Sequence, residues 1–238
     1  MPDSNKKALT WDAVGERYYQ TGTKKGVVYP YNASNTYGDG VAWNGLTAVT
    51  ASPSGAEASA FYADDIKYLN LRSAEEFGMT IEAYSSPEEF DECDGTKSIA
   101  PGVKVGQQSR KMFGFCYRTA IGNDVDGADH AYMLHLVYGC TASPSEKSYA
   151  TINDSPEPIT LSWEVSTTPV EVPGCKPTAT LDIDSRTVNA AKLAKLEEIL
   201  YGKDPSSTSA DDGVAARLPL PKEVAELFGT DGDEEVGP

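Results

Sequence analysis

No stretch of the sequence approaches the roughly 20 consecutive apolar residues that a membrane-spanning helix needs. The opening, MPDSNKKALTWDAVGERYYQ, has no apolar run of signal-peptide length. Neither a membrane span nor a secretion signal is therefore expected. Cysteine is scarce. Cys93, Cys116, Cys140 and Cys175 lie far apart, with none of the close ligand spacing that zinc sites use. In a chain without a secretion signal they read as free, buried thiols. Histidine is scarcer still. His130 and His135 stand five apart on an apparent strand, so they point to opposite faces and cannot meet on one metal ion without distant help. They read as one loop histidine and one core histidine.

Motifs of catalysis are missing too. No Gly-rich loop precedes a helix, and there is no G-x-S-x-G elbow. Residues 122–129, Gly-Asn-Asp-Val-Asp-Gly-Ala-Asp, resemble a calcium loop but lack a liganding acid and the closing Glu. A hairpin turn at Asp126-Gly127 explains them better. A Cys116 or Cys140 thiol with His135 is conceivable as a nucleophile pair, but nothing in the sequence orients such a base. Carboxylate pairs are always available among 36 acids, and abundance is not a signal. No catalytic residue, cofactor site or metal ligand is assigned. Positive charge is also short. Twenty Lys and Arg against 36 Asp and Glu give a net charge of −16, a surface that repels nucleic acid.

What is present is strand patterning. Residues 157–172 alternate, with Ile159, Leu161, Trp163 and Val165 opposed to Thr160, Ser162, Glu164 and Ser166. Residues 77–84 set Phe77, Met79, Ile81 and Ala83 against Thr80 and Glu82. Residues 111–118 line up Phe113, Phe115 and Tyr117. Residues 132–140 are apolar on both sides, which predicts a strand covered on both faces, and residues 178–184 alternate again. Turn clusters separate these runs: Ser52-Pro53-Ser54-Gly55, Asp94-Gly95, Pro101-Gly102, Asp126-Gly127 and Ser143-Pro144-Ser145. Pro87 followed by Glu88 and Glu89 reads as one short helical turn.

One helix is expected over 188–201, capped by Thr187 or Ser185. Leu193, Leu196 and Leu200 form its apolar stripe, Glu197 and Glu198 its opposite face, and Gly202 supplies a left-handed stop. The expected organisation has three parts. Residues 1–40 form an extended, partly basic arm with a first short strand. Residues 41–202 form a mainly β body, a sandwich or barrel with the flanking helix. Residues 203–238 comprise a flexible linker, a short helix at 221–228 and an acidic tail. Residues 50–65 read as a loop, longer than a usual hairpin connection.

Long strings of the sequence resemble the major tail protein, or tail tube protein, of siphophages and prophages. They include Gly40-Val-Ala-Trp-Asn-Gly-Leu-Thr-Ala-Val-Thr50, Tyr62-Ala-Asp-Asp-Ile-Lys-Tyr-Leu-Asn-Leu71 and Ile81-Glu-Ala-Tyr84. They continue with Leu134-His-Leu-Val-Tyr-Gly-Cys-Thr-Ala-Ser-Pro-Ser-Glu-Lys147, Ser162-Trp-Glu-Val-Ser-Thr-Thr-Pro-Val-Glu-Val172 and Arg217-Leu-Pro-Leu-Pro221. The similarity spans nearly the whole chain and is weakest over the first eight residues and 203–216.

The resemblance implies a tail-tube-type β-sandwich whose inner strands join those of other subunits into one β-barrel, with a flanking α-helix and extended arms. It implies a structural protein rather than an enzyme, with no cofactor. Hexameric rings of it would stack into a tube in the virion tail, after synthesis in the bacterial cytoplasm. The implied partners are further copies of the chain, a tape measure protein, and tail tip and terminator proteins. DNA would pass through without sequence-specific binding, and no membrane is involved. In that setting the polar faces, Thr80 and Glu82 with Thr160, Ser162, Glu164 and Ser166, are candidates for the lumen wall. With two sheets to choose between, they equally suit the tube's exterior. Lys6, Lys7, Lys24 and Lys25 of the arm, with Phe61 and Tyr62 of the 50–65 loop, are candidates for inter-ring contacts. Two other readings fit the residues: a non-catalytic carbohydrate- or receptor-binding β-sandwich of a phage tail, and a hydrolase with a deep carboxylate cleft.

Overall fold

The first strand, β1 (Tyr19–Pro30), is built from β-branched and aromatic residues at its C-terminal end, and Val27, Val28 and Tyr29 are buried. It is twelve residues long and sits inside the main sheet, so the segment expected to be an arm with a short strand contributes to the core. The computed structural model describes residues 8–32, 34, 36–152, 154–205 and 213–229.

Short strands follow: β2 (Val41–Trp43), β3 (Leu46–Ala51), β4 (Ser54–Gly55), β5 (Ala58–Ala63), β6 (Ile66–Arg72), β7 (Glu75–Glu76) and β8 (Gly78–Ala83). After a 3-10 turn at Glu88–Phe90 come β9 (Lys97–Ala100), β10 (Val103–Val105), β11 (Phe113–Asn123), β12 (Gly127–Ala142), β13 (Leu161–Thr167) and β14 (Thr180–Asp184). Two helices close the chain, α1 (Ala190–Tyr201) and α2 (Pro221–Phe228).

The fold is mainly β and centred on one large antiparallel sheet. Its strands run in the order β2-β1-β11-β12-β13-β8-β3, with β14 paired to the far half of β12. The end strands β2 and β3 are consecutive in the chain and joined by Asn44-Gly45 alone, where Gly45 has φ +79°. The two ends of the sheet are thereby held together, and the sheet folds over on itself around a shared core. Trp43, Phe90, Phe113, Phe115 and Trp163 fill that core. The Trp43 ring lies 4.6 Å from Phe90 and 5.2 Å from Trp163 between centroids. The Trp43 indole N–H donates to the Ser85 carbonyl at 2.7 Å, which satisfies its one polar group.

A second core lies on the outer face of β1, β11 and β12, under α1 and α2. Cys116, Leu134, Leu136 and Tyr138 meet Leu193, Leu196 and Leu200 of α1 and Val224 of α2. These three strands are thus covered on both faces, which is why residues 132–140 show no clean alternation. Residues 213–229 belong to this core. Leu218 is buried, Lys203 and Val214 exchange backbone hydrogen bonds, and the Tyr138 hydroxyl donates to the Pro219 carbonyl at 3.0 Å.

Several local expectations are corrected. The strand expected over 157–172 is confined to Leu161–Thr167, and Ile159 lies outside it, 38% exposed. The cap of α1 is Asn189, whose side chain accepts from the Ala191 and Lys192 N–H groups. The hydroxyls expected to cap are engaged elsewhere: Ser185 accepts from the Tyr132 N–H, and Thr187 donates to the Asp184 carbonyl. Gly202 has the positive φ foreseen for it, +80°, but with ψ 168° it is extended rather than left-handed helical. Cys93, Cys116 and Cys140 are buried free thiols, whereas Cys175 is exposed.

Candidate assembly surfaces

The residues expected to form one polar wall do share a face where they lie in strands. In the β13–β8 register Ser162 is opposite Glu82, Glu164 opposite Thr80, and Ser166 opposite Gly78. Their neighbours Trp163, Val165, Met79, Ile81 and Ala83 point into the core. β3 extends the face with Thr50 beside Thr80 and Ala48 beside Glu82. Glu164 and Ser166 are exposed, and Thr80, Glu82 and Ser162 half-buried. Thr160 is exposed but precedes the strand, so it sits at the margin of the face. The edge of β13 is tied down next to Glu164, whose carbonyl accepts from the Ser143 N–H at 2.7 Å. A shallow groove of about 210 Å³ runs over this face between Ser52, Glu76, Thr80, Ser143, Glu164 and Ser166.

The segment expected to be a loop over 50–65 is instead one arm of a β-hairpin. β4 pairs with β7 at its base, and β5 with β6 beyond it. Asp64 and Asp65 form the turn, with φ of +52° and +63°, the left-handed pair that a two-residue hairpin turn demands. Every residue from Ala51 to Glu76 is exposed. Phe61 is 49% exposed and Tyr62 71%, and Ile66, Tyr68 and Leu71 are open as well. A lone two-stranded hairpin is marginal in water, and this one sets several apolar side chains in solvent.

Lys24 and Lys25 lie in a different region, on the outer edge of β1 where its pairing with β11 slips twice. Lys25 has φ +55°, and its ammonium stands 5.0 Å above the Tyr201 ring. Bulges and lysines are devices that keep a strand edge from accepting another strand. They also open a mainly apolar groove of about 590 Å³, bounded by Lys24, Lys25, Ala42, Trp43, Leu46 and Tyr201. Lys6 and Lys7 lie outside the described residues.

Two features escaped the sequence pattern. Leu9, Trp11 and Val14 are each more than three-quarters exposed on the segment that leads into β1. That segment is pinned to the β11–β12 turn: the Gly15 N–H donates to Asp124 Oδ1 at 3.0 Å, and the buried Asn123 amide donates to the Gly15 carbonyl at 3.3 Å. Second, Glu197 faces inward rather than to solvent. It sits 3.8 Å from the Arg118 guanidinium, which stacks 3.5 Å from the centre of the Tyr132 ring.

The histidines and thiols are placed as core and turn elements. His135 stacks on Tyr117 and is held between Thr119, at 2.9 Å, and Asp182, at 2.7 Å. His130 bonds Asp126 at 2.8 Å beside the β11–β12 turn. Burial pushes the Cys116 thiol up to about 12, and the Cys93 thiol likewise to about 12, so both are protonated near neutrality. Among the described residues no three His, Cys, Asp or Glu side chains cluster as a metal site, and no helix is long and apolar enough to cross a membrane. No family model matches the chain, and no curated protein matches it either.

Proposed function

We propose that the chain is a structural subunit that polymerises into the tail tube of a long-tailed bacteriophage. On this reading subunits form hexameric rings, the rings stack, and the inner sheets of six copies join around a lumen. The subunit is made in the bacterial cytoplasm and functions in the virion tail, with a tape measure protein inside the growing tube and tip and terminator proteins at its ends. DNA passes through at ejection without being gripped.

The observation that carries the reading is the hairpin of residues 52–77. It projects from a well-packed body with Phe61, Tyr62, Ile66 and Tyr68 in water. Such a projection gains stability only when another surface covers it. The resemblance of the sequence strings to tail tube proteins supplies the identity of that surface as further copies of the chain. The face bearing Thr80, Glu82, Ser162, Glu164 and Ser166 supports the same reading, since it backs onto the aromatic core and offers hydroxyls and carboxylates to solvent. With a net charge of −16, such a wall repels phosphate and keeps water between protein and DNA.

Negative-stain imaging of the concentrated, purified chain tests the proposal. Stacked rings or tubes are expected. Discrete monomers at every concentration would overturn it.

A further inference from the structure

The hairpin tip and the groove beneath Lys24 and Lys25 are complementary in both charge and polarity. The tip presents two carboxylates, Asp64 and Asp65, directly beside the exposed Tyr62 and Ile66, with one cation, the exposed Lys67, opposite Tyr62, so its excess charge is negative. The groove presents two ammonium groups, Lys24 and Lys25, at the rim of an apolar recess formed by Ala42, Trp43, Leu46 and Tyr201. Both lysines and all four tip residues are exposed. We infer that the hairpin tip of one copy docks into this groove on a second copy, with Asp64 and Asp65 facing Lys24 and Lys25 and Tyr62 covered by the recess. The inference rests on the proposed self-assembly and names the acceptor surface that the hairpin uses.

The placement of the two patches favours an intermolecular contact. In the β3–β8 pair, Leu46 is opposite Ala83 at one end and Ala51 opposite Met79 at the other. The groove lies at the Leu46 end, where the Asn44-Gly45 turn enters β3. The hairpin leaves from the Ala51 end, roughly 17 Å away at a strand rise of about 3.4 Å per residue. Knob and socket are therefore different patches at opposite ends of the same strand pair. A contact between unlike patches is heterologous, and repeating it generates either a closed ring or an open-ended stack. The chemistry also suits reversible growth. Covering an aromatic side chain removes on the order of 150–250 Å² from water and gives the contact its strength, while the charge pairs fix its direction and register.

Two variants separate the two halves of the contact. Lys24→Glu with Lys25→Glu spoils the socket and leaves the knob intact. Tyr62→Ser with Asp64→Asn and Asp65→Asn spoils the knob; Asn suits the left-handed turn, so the hairpin is kept. Each is compared with the unaltered chain by mass photometry and electron microscopy, with thermal melting as the check on folding. Neither variant alone is expected to form stacks at concentrations where the unaltered chain does. Mixed one to one, they are expected to give a species of twice the mass of either alone that grows no further, because one good knob meets one good socket.

Stacking by either variant alone at the normal concentration overturns the inference and leaves the self-assembly reading standing. So does a mixture that stays unpaired. Failure of the unaltered chain to assemble removes both. If the charge-reversed socket variant melts early, Lys24→Gln with Lys25→Gln serves in its place. Raising ionic strength should then raise the assembly threshold of the unaltered chain and leave that of this variant unmoved. Equal salt sensitivity in the two would overturn the pairing.

Discussion

The Tyr29 hydroxyl donates a 2.7 Å hydrogen bond to the Leu200 carbonyl, joining a strand of the central sheet to the last turn of α1. Helix ends leave carbonyls without intrahelical partners, and this one is buried, so the strand supplies what the helix lacks. Burial also pushes the Tyr29 hydroxyl well above the ordinary tyrosine range, which keeps it a donor at any physiological pH. Tyr29→Phe should destabilise the subunit by about 1–2 kcal/mol. The check is a lower urea midpoint at unchanged slope.

Leu196 is fully buried at the centre of the stripe formed with Leu193 and Leu200. Its removal leaves a cavity between α1 and the sheet of the same chain. Leu196→Ala should cost about 2–5 kcal/mol and lower the melting temperature of the isolated subunit. An unchanged melting temperature with loss of assembly would instead make α1 an interface element.

Phe61 and Tyr62 touch no core, so their loss should spare the fold. Changing both to Ser should raise the concentration needed for assembly while moving the melting temperature very little. Matching losses of subunit stability would show that the hairpin supports the body directly.

Asp184 ends β14 and is held below its ordinary value of 3.8 by hydrogen bonds from Arg186, whose guanidinium lies 2.6 Å away. A depressed carboxyl stabilises the fold above its unfolded pKa, and that contribution is lost as pH falls through the lower folded value. Arg186→Ala should therefore raise the Asp184 titration toward the ordinary value in carboxyl-detected NMR. It should also flatten the part of the acid-side stability loss that Asp184 causes.

If Glu82 and Glu164 line a lumen, changing both to Lys in an assembling phage should leave tail length normal and slow DNA ejection. Each new phosphate contact adds a salt-dependent attraction, so high salt should relieve the defect. Normal ejection from intact tails would place both residues elsewhere.

Alternation alone was enough to read the inward-facing Trp163, Val165, Met79 and Ile81 and the outward-facing Glu164 and Thr80, because a strand with one wet face records its sidedness every second residue. The 3.6-residue period fixed the buried stripe of α1, and the α2 bounds, 221–228, follow from Pro221 and the apolar residues after it. Turn chemistry foretold Asp126-Gly127, where Gly127 takes φ +63°.

Other features were settled by contacts between segments distant in the chain. Strand β1 is a core element because β2 and β11 flank it and α1 covers its outer face; its own residues mark only the short apolar run Val27-Val28-Tyr29, and the Gly-, Thr- and Lys-rich stretch before it hides the rest. Asn189 caps α1 because Ser185 and Thr187 bond elsewhere, and Glu197 turns inward because Arg118 stands beneath it. The hairpin was hidden for the opposite reason. With both faces exposed it needs no alternation, and its turn is Asp-Asp where Gly would have announced it. Sequence periodicity reports which face of an element must leave water. Which other surface covers that face, or whether this chain covers it at all, is decided only when distant segments meet.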